Sequence, residues 1–118
     1  MSELDSIRKF EYRPSRISTG FSVEFVTAEE SIQGLCRDVS DSGVRARLDG
    51  SVAVGDTGLL ILRHPAGVLE IEAQVAYIDR FQVGLEFRCK TSWERELTIE
   101  YIALIASHTP DSQVVPFP

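Results

Sequence analysis

Two stretches of the chain bring residues capable of chemistry close together. Residues 8 to 16, RKFEYRPSR, set Arg8, Lys9, Arg13 and Arg16 against a single acid, Glu11. That stretch carries +3 in a chain whose total is −6, so the remainder carries −9. A short cationic segment on an acidic chain suggests a local anion site. About 25 residues after Arg13 comes DVSDSG, Asp38 to Gly43. Read alone, this run is a good turn, because Asp and Ser cap backbone groups while Gly accepts φ > 0 or a close backbone approach. The same residues also offer a carboxylate and hydroxyls to a ligand.

Catalytic patterns are absent. There is no HExxH, GxSxG, GxGxxG after a strand, or Walker-type GxxxxGK[ST], and no close carboxylate pair is flanked by a histidine. His64 precedes a proline in a turn and His108 falls at a helix end, so neither has a nucleophile beside it. Cys36 and Cys89 stand far apart in apolar contexts without a CxxC pair, and read as reduced core residues. Together with the two histidines they lack the paired spacing of a structural zinc site. The chain therefore reads as a binding protein, not an enzyme, with no metal.

The elements that must position these residues follow from periodicity. At 118 residues, with 43% hydrophobic and 25% charged residues, one domain with a self-sufficient core is the default. No apolar run approaches the ~20 residues of a membrane span, and the N-terminus has charges where a secretion signal needs an apolar core. A cytoplasmic protein is expected. A net charge of −6 argues against DNA or RNA as partner. From Phe21 onward, alternation at period two, bounded by turns, predicts strands over 21–26, 31–39, 43–48, 58–62 and 68–78, and a sixth through Phe81, Val83, Leu85 and Phe87. Arg45 and Arg47 read as outward, solubilising residues. Thr91 with Glu94 fits a capping box opening a helix to about Ser107, whose stripe Trp93, Leu97, Tyr101, Leu104 and Ile105 is expected to pack over a barrel opening. Fewer than three heptads are present, so the stripe is short for a coiled-coil dimer. The prediction is an all-β fold, a six-stranded antiparallel barrel with a C-terminal helix. Residues 1–20 read as a flexible N-terminal segment, 21–107 as barrel plus helix, and 108–118 as a disordered tail.

At Arg8-Lys9-Phe10-Glu11-Tyr12-Arg13, at Asp38-Val39-Ser40-Asp41-Ser42-Gly43 and at Gly84-Leu85-Glu86-Phe87, the chain resembles the PilZ domain family. That family is marked by RxxxR or RRxxxR before the first strand, [D/N]xSxxG between the second and third strands, and a late Gly-apolar-x-Phe strand. The resemblance spans Arg8 to about Ser107. It implies a bacterial receptor for the second messenger cyclic di-GMP, held between the N-terminal segment and the barrel wall by Arg8, Lys9, Arg13, Asp38, Ser40 and Gly43.

Those residue types suit that ligand. Its phosphates need cations, and its guanines need planar donors for O6 and N7 and an acceptor for the N1 and N2 protons. In one respect the chain departs from the pattern. Lys9 holds the first position of RxxxR, with Arg8 matching the extra leading arginine, and lysine keeps the charge but loses the planar fork. Family members lacking intact motifs can act as nucleotide-independent protein adaptors, which is the alternative. The expected output is a conformational change that signals to an unidentified protein partner, from a monomer or weak homodimer, with no cofactor beyond cyclic di-GMP.

Overall fold

Alternating stretches fold as strands because their inward positions are apolar and their outward ones polar, so one face of each can be buried. The computed structural model describes residues 16–80, 82–108 and 114–115. In chain order the elements are β1 (Arg16–Ser18), β2 (Ser22–Val26), β3 (Ser31–Val39), β4 (Gly43–Leu48), β5 (Thr57–His64), β6 (Gly67–Asp79), β7 (Gln82–Phe87), α1 (Ser92–Ser107) and β8 (Val114–Val115). Six strands form a ring, β2–β5–β6–β7–β4–β3, which closes because β3 also pairs with β2. All of these pairings are antiparallel. This is the predicted six-stranded barrel with its C-terminal helix.

Val23, Phe25, Leu60, Leu62, Val75 and Leu85 fill the interior and are fully buried. Burying each such side chain contributes roughly 1.5–3 kcal/mol. Cys36 belongs to this core, its thiol donating to the Asp38 carbonyl at 3.4 Å, and Cys89 packs against it. Among the described residues, no helix is long and apolar enough to cross a membrane.

Two details differ from the sequence reading. Within the segments read as a flexible N-terminal segment and a disordered tail, β1 and β8 pair antiparallel with each other, Ile17 opposite Val114. Runs of three and two residues are too short to display an alternation. Phe81, read as part of the sixth strand, lies outside the described residues. The helix also buries a different stripe. Thr98, Tyr101, Ile102 and Ile105 face the barrel, whereas Trp93, Leu97 and Leu104 stay exposed. Because α1 is apolar on more than one side, the helical period alone fits two stripes. Tertiary contact selects between them, since the Tyr101 hydroxyl lies 3.1 Å from the Leu62 carbonyl and 2.8 Å from the Gly67 carbonyl. The helix is thereby fixed over the β5–β6 hairpin. Its start is as expected, Thr91 Oγ1 accepting the Glu94 N–H at 3.1 Å. Glu94 reaches back one residue further than in a standard capping box and accepts the Lys90 N–H at 2.6 Å.

Candidate ligand-binding site

Strand parity should send Asp38 into the barrel. Along β3, Ile32 and Cys36 point inward, and the next even position would follow them. A register shift between Cys36 and Asp38 inserts one extra residue, so that Cys36 and Val39 are both buried and Asp38 turns outward. Thr19 accompanies the irregularity: its N–H donates to the Arg37 carbonyl at 3.0 Å and its Oγ1 to the Cys36 carbonyl at 3.3 Å. On β6 the same device recurs. Ile71, Ala73 and Val75 point inward, and a shift between Val75 and Tyr77 turns Tyr77 to the outer surface.

The two bulges set up a row across four strands. Asp38 on β3 lies opposite Arg45 on β4, Arg45 opposite Gly84 on β7, and Gly84 opposite Tyr77 on β6. Arg45 grips Asp38 with both arms of its fork, Nε to Oδ1 at 3.0 Å and a terminal nitrogen to Oδ2 at 2.9 Å. The Tyr77 hydroxyl makes a further contact, and the hydrogen bond to Asp38, ahead of that contact, raises the guanidinium's pKa above its ordinary value. The Tyr77 ring lies directly on the Gly84 backbone, where a Cβ would come within 2.1 Å of it, so only glycine fits beneath the ring. The outer face of the barrel therefore presents a carboxylate, a planar cation and an aromatic ring in one line. From sequence Arg45 reads only as an outward, solubilising residue, and Tyr77 is not singled out. The signal was there in outward Arg45 seven residues after Asp38, but it became readable only with the register.

The rest of the DVSDSG run shapes the turn. Ser40 is fully buried; its N–H donates to the Gly43 carbonyl at 2.9 Å, and its hydroxyl accepts the Ser42 N–H at 3.3 Å and lies 3.1 Å from the Ser42 hydroxyl. Gly43 is required by close approach, not by positive φ: a Cβ there would sit 2.2 Å from the Leu85 carbonyl oxygen. The Phe87 N–H donates to the Ser42 carbonyl at 3.0 Å, tying the turn to β7. Gly84, Leu85 and Phe87 of the late strand thus have separate tasks, the first under Tyr77 and the other two in the core.

Arg8, Lys9 and Arg13 lie outside the described residues. The chain that carries them enters the structure at β1, and β1 lies along the end of β3 with Ser18 opposite Asp38. Arg13 precedes Ser18, the residue opposite Asp38, by five positions, and five residues of extended chain span at most ~18 Å. A cleft of about 460 Å³ opens elsewhere on the same turn, lined by Asp41, Ser42 and Arg95 among others, but not by Asp38, Arg45 or Tyr77. Its other cations are matched by acids, Lys90 Nζ 2.8 Å from Glu72 and Arg88 3.7 Å from Glu86. The Asp38 row is therefore the better candidate.

A family model described as PilZ domain matches residues 7–104. A search of curated protein sequences finds no match. Among solved structures, the chain is similar to the PilZ domain of CeSA from a cellulose-synthesizing bacterium, with a TM-score of 0.66 at 13% identity, covering 77% of this chain and 97% of that one. It is also similar to the PilZ domain of YcgR from Escherichia coli with c-di-GMP, with a TM-score of 0.64 at 17% identity over 82% and 94% of the two chains. The Bacillus subtilis inhibitor of motility, MotI/DgrA, gives a TM-score of 0.64 at 24% identity over 81% of this chain but only 50% of its own length.

Proposed function

The chain belongs to the PilZ domain family, and from that premise we propose that it is a cyclic di-GMP receptor without catalytic activity, which binds the nucleotide between residues 8–13 and the Asp38 face and signals to a partner protein in the cytoplasm. The observation that supports the reading is the register of β1 on β3, Ser18 opposite Asp38, because the segment bearing Arg8, Lys9 and Arg13 joins the described structure at β1. Asp38 supplies two oxygens for the guanine N1 and N2 protons, and the Arg13 fork suits phosphate or guanine O6 and N7. Tyr77 adds an aromatic surface beside them. Ser40 and Gly43 act by shaping the turn. The similar YcgR domain is described with c-di-GMP.

Micromolar affinity corresponds to about 8 kcal/mol, within reach of a few charge-assisted contacts at roughly 1.5–3 kcal/mol each after ordering costs. The test is a calorimetric titration of the purified chain with cyclic di-GMP, with GTP and cyclic di-AMP as controls. Saturation in the micromolar range or tighter is expected for cyclic di-GMP alone. Amide exchange across residues 8–16 slows when it binds. A flat titration at about 100 µM ligand overturns the receptor reading.

A nucleotide-independent adaptor is the second reading. Two observations favour it: lysine stands at position 9, and the Asp38 carboxylate is already engaged by Arg45.

A further inference from the structure

The helix leaves an apolar stripe in water. Trp93 is 66% exposed, Leu97 39% and Leu104 38%, and their spacing of i, i+4 and i+11 puts them on one side of α1. The stripe adjoins the barrel at the β5–β6 hairpin, where a Cβ on Gly67 would lie 3.8 Å from a Leu104 methyl, and Val68 beside it is 60% exposed. Glu96 and Glu100, both exposed, lie along the outer edge of the stripe. The pattern of an apolar line with an acidic border suits a partner with the opposite border.

We propose that this face of α1 is a docking surface for an amphipathic helix of another polypeptide, one whose apolar stripe is flanked by lysine or arginine. Anchors spaced this way accept a helix laid alongside. The border chooses the occupant: a second copy would bring the same glutamates against Glu96 and Glu100 in a chain of net charge −6, and such like-charge juxtaposition disfavours it. The proposal rests on the receptor reading only for its signalling meaning, as the output contact of the domain. Its test uses no nucleotide, so failure of one is distinguishable from failure of the other.

Trp93 is the sole tryptophan, so its emission reports on the stripe directly. The full chain is titrated with a synthetic helical peptide of leucine and lysine, and with a matching peptide of leucine and glutamate. The lysine peptide is expected to give a saturable blue shift and the glutamate peptide none. Glu96→Lys with Glu100→Lys weakens lysine-peptide binding by about tenfold or more, while Glu29→Lys with Glu30→Lys, the same charge change on the distant β2–β3 turn, leaves it within about twofold. Leu97→Ser weakens it at unchanged helix content by circular dichroism. Equal loss in both charge variants would reduce the effect to general attraction for an acidic chain and overturn the proposal. So would the absence of a shift, or a blue shift that grows with protein concentration without peptide, which would identify a second copy as the occupant.

Discussion

Asp38 and Arg45 face each other across β3 and β4 with both carboxylate oxygens taken up by one guanidinium, at 3.0 and 2.9 Å. The Watson–Crick edge of guanine offers the same kind of paired donors. On the receptor reading, ligand and Arg45 compete for Asp38. Arg45→Ala is expected to tighten cyclic di-GMP binding several-fold by calorimetry, whereas Asp38→Ala weakens it at least tenfold. The pair is partly open to solvent, so the melting temperature of Arg45→Ala should move by the equivalent of less than about 1 kcal/mol. Weaker binding by Arg45→Ala would instead make Arg45 itself a ligand contact.

Lys9 and Arg13 give a second test. Lys9→Arg restores the planar fork at the first RxxxR position and should tighten binding by about 1 kcal/mol, roughly fivefold. Arg13→Ala removes a charge and a guanidinium plane, and should weaken binding at least tenfold with an unchanged melting curve. If both variants bind like the parent, the basic segment is a solvated tail.

Two glycines should respond with opposite sign. Gly43→Ala drives a methyl against the Leu85 carbonyl, which belongs to a barrel strand and cannot yield cheaply, so a loss of about 2 kcal/mol or more is expected in urea unfolding. Gly20→Ala meets nothing within 4 Å and restricts only the unfolded chain, so it should stabilise by about 0.4–1 kcal/mol. Equal effects at the two sites would remove the close-approach account of Gly43.

His64 predicts a pH dependence. Burial, with a smaller contribution from His108, pushes its pKa below the usual imidazole value, and its Nδ1 accepts the Ala66 N–H at 2.9 Å, which a protonated ring cannot do. The unfolded chain thus binds the proton at higher pH than the folded one. The stability held by neutral His64 is complete above about pH 6.5 and declines as pH falls through that value towards the folded pKa. His64→Asn keeps an acceptor without the titration. Between about pH 7.5 and 5.5 the parent's melting temperature should fall further than the variant's; parallel curves would exclude His64 as the source.

What could be read from sequence was whatever repeats. The barrel strands β2 to β7 were legible because inward residues such as Val23 and Phe25, or Leu85 and Phe87, recur at period two. The bulges were not legible. One inserted residue leaves local composition unchanged yet reverses the face of everything after it. Asp38 could still be singled out through its surrounding DVSDSG pattern, but Arg45 looked like a solubilising residue, and Tyr77 continued the inward parity of Ile71, Ala73 and Val75. The helix showed its period but not its rotation, which the Tyr101 hydroxyl settles at two carbonyls of the β5–β6 hairpin. Arg8, Lys9 and Arg13 remain assigned by motif, since they lie outside the described residues.

The ring itself has a temporal consequence. Four of its six seams join strands that follow one another in the sequence, or nearly so, but Ser22 must find Arg63 and Gly43 must find Glu86 across the intervening strands. Until those two distant seams form, β2, β5, β4 and β7 each carry a naked hydrogen-bonding edge, the kind of surface on which chains exchange strands or aggregate. Closing them sacrifices chain freedom before any contact repays it, so refolding should fall in the slow, millisecond-to-second class of β-rich domains. Crowded refolding is then the condition under which this small barrel is most vulnerable, and dilution the simplest protection.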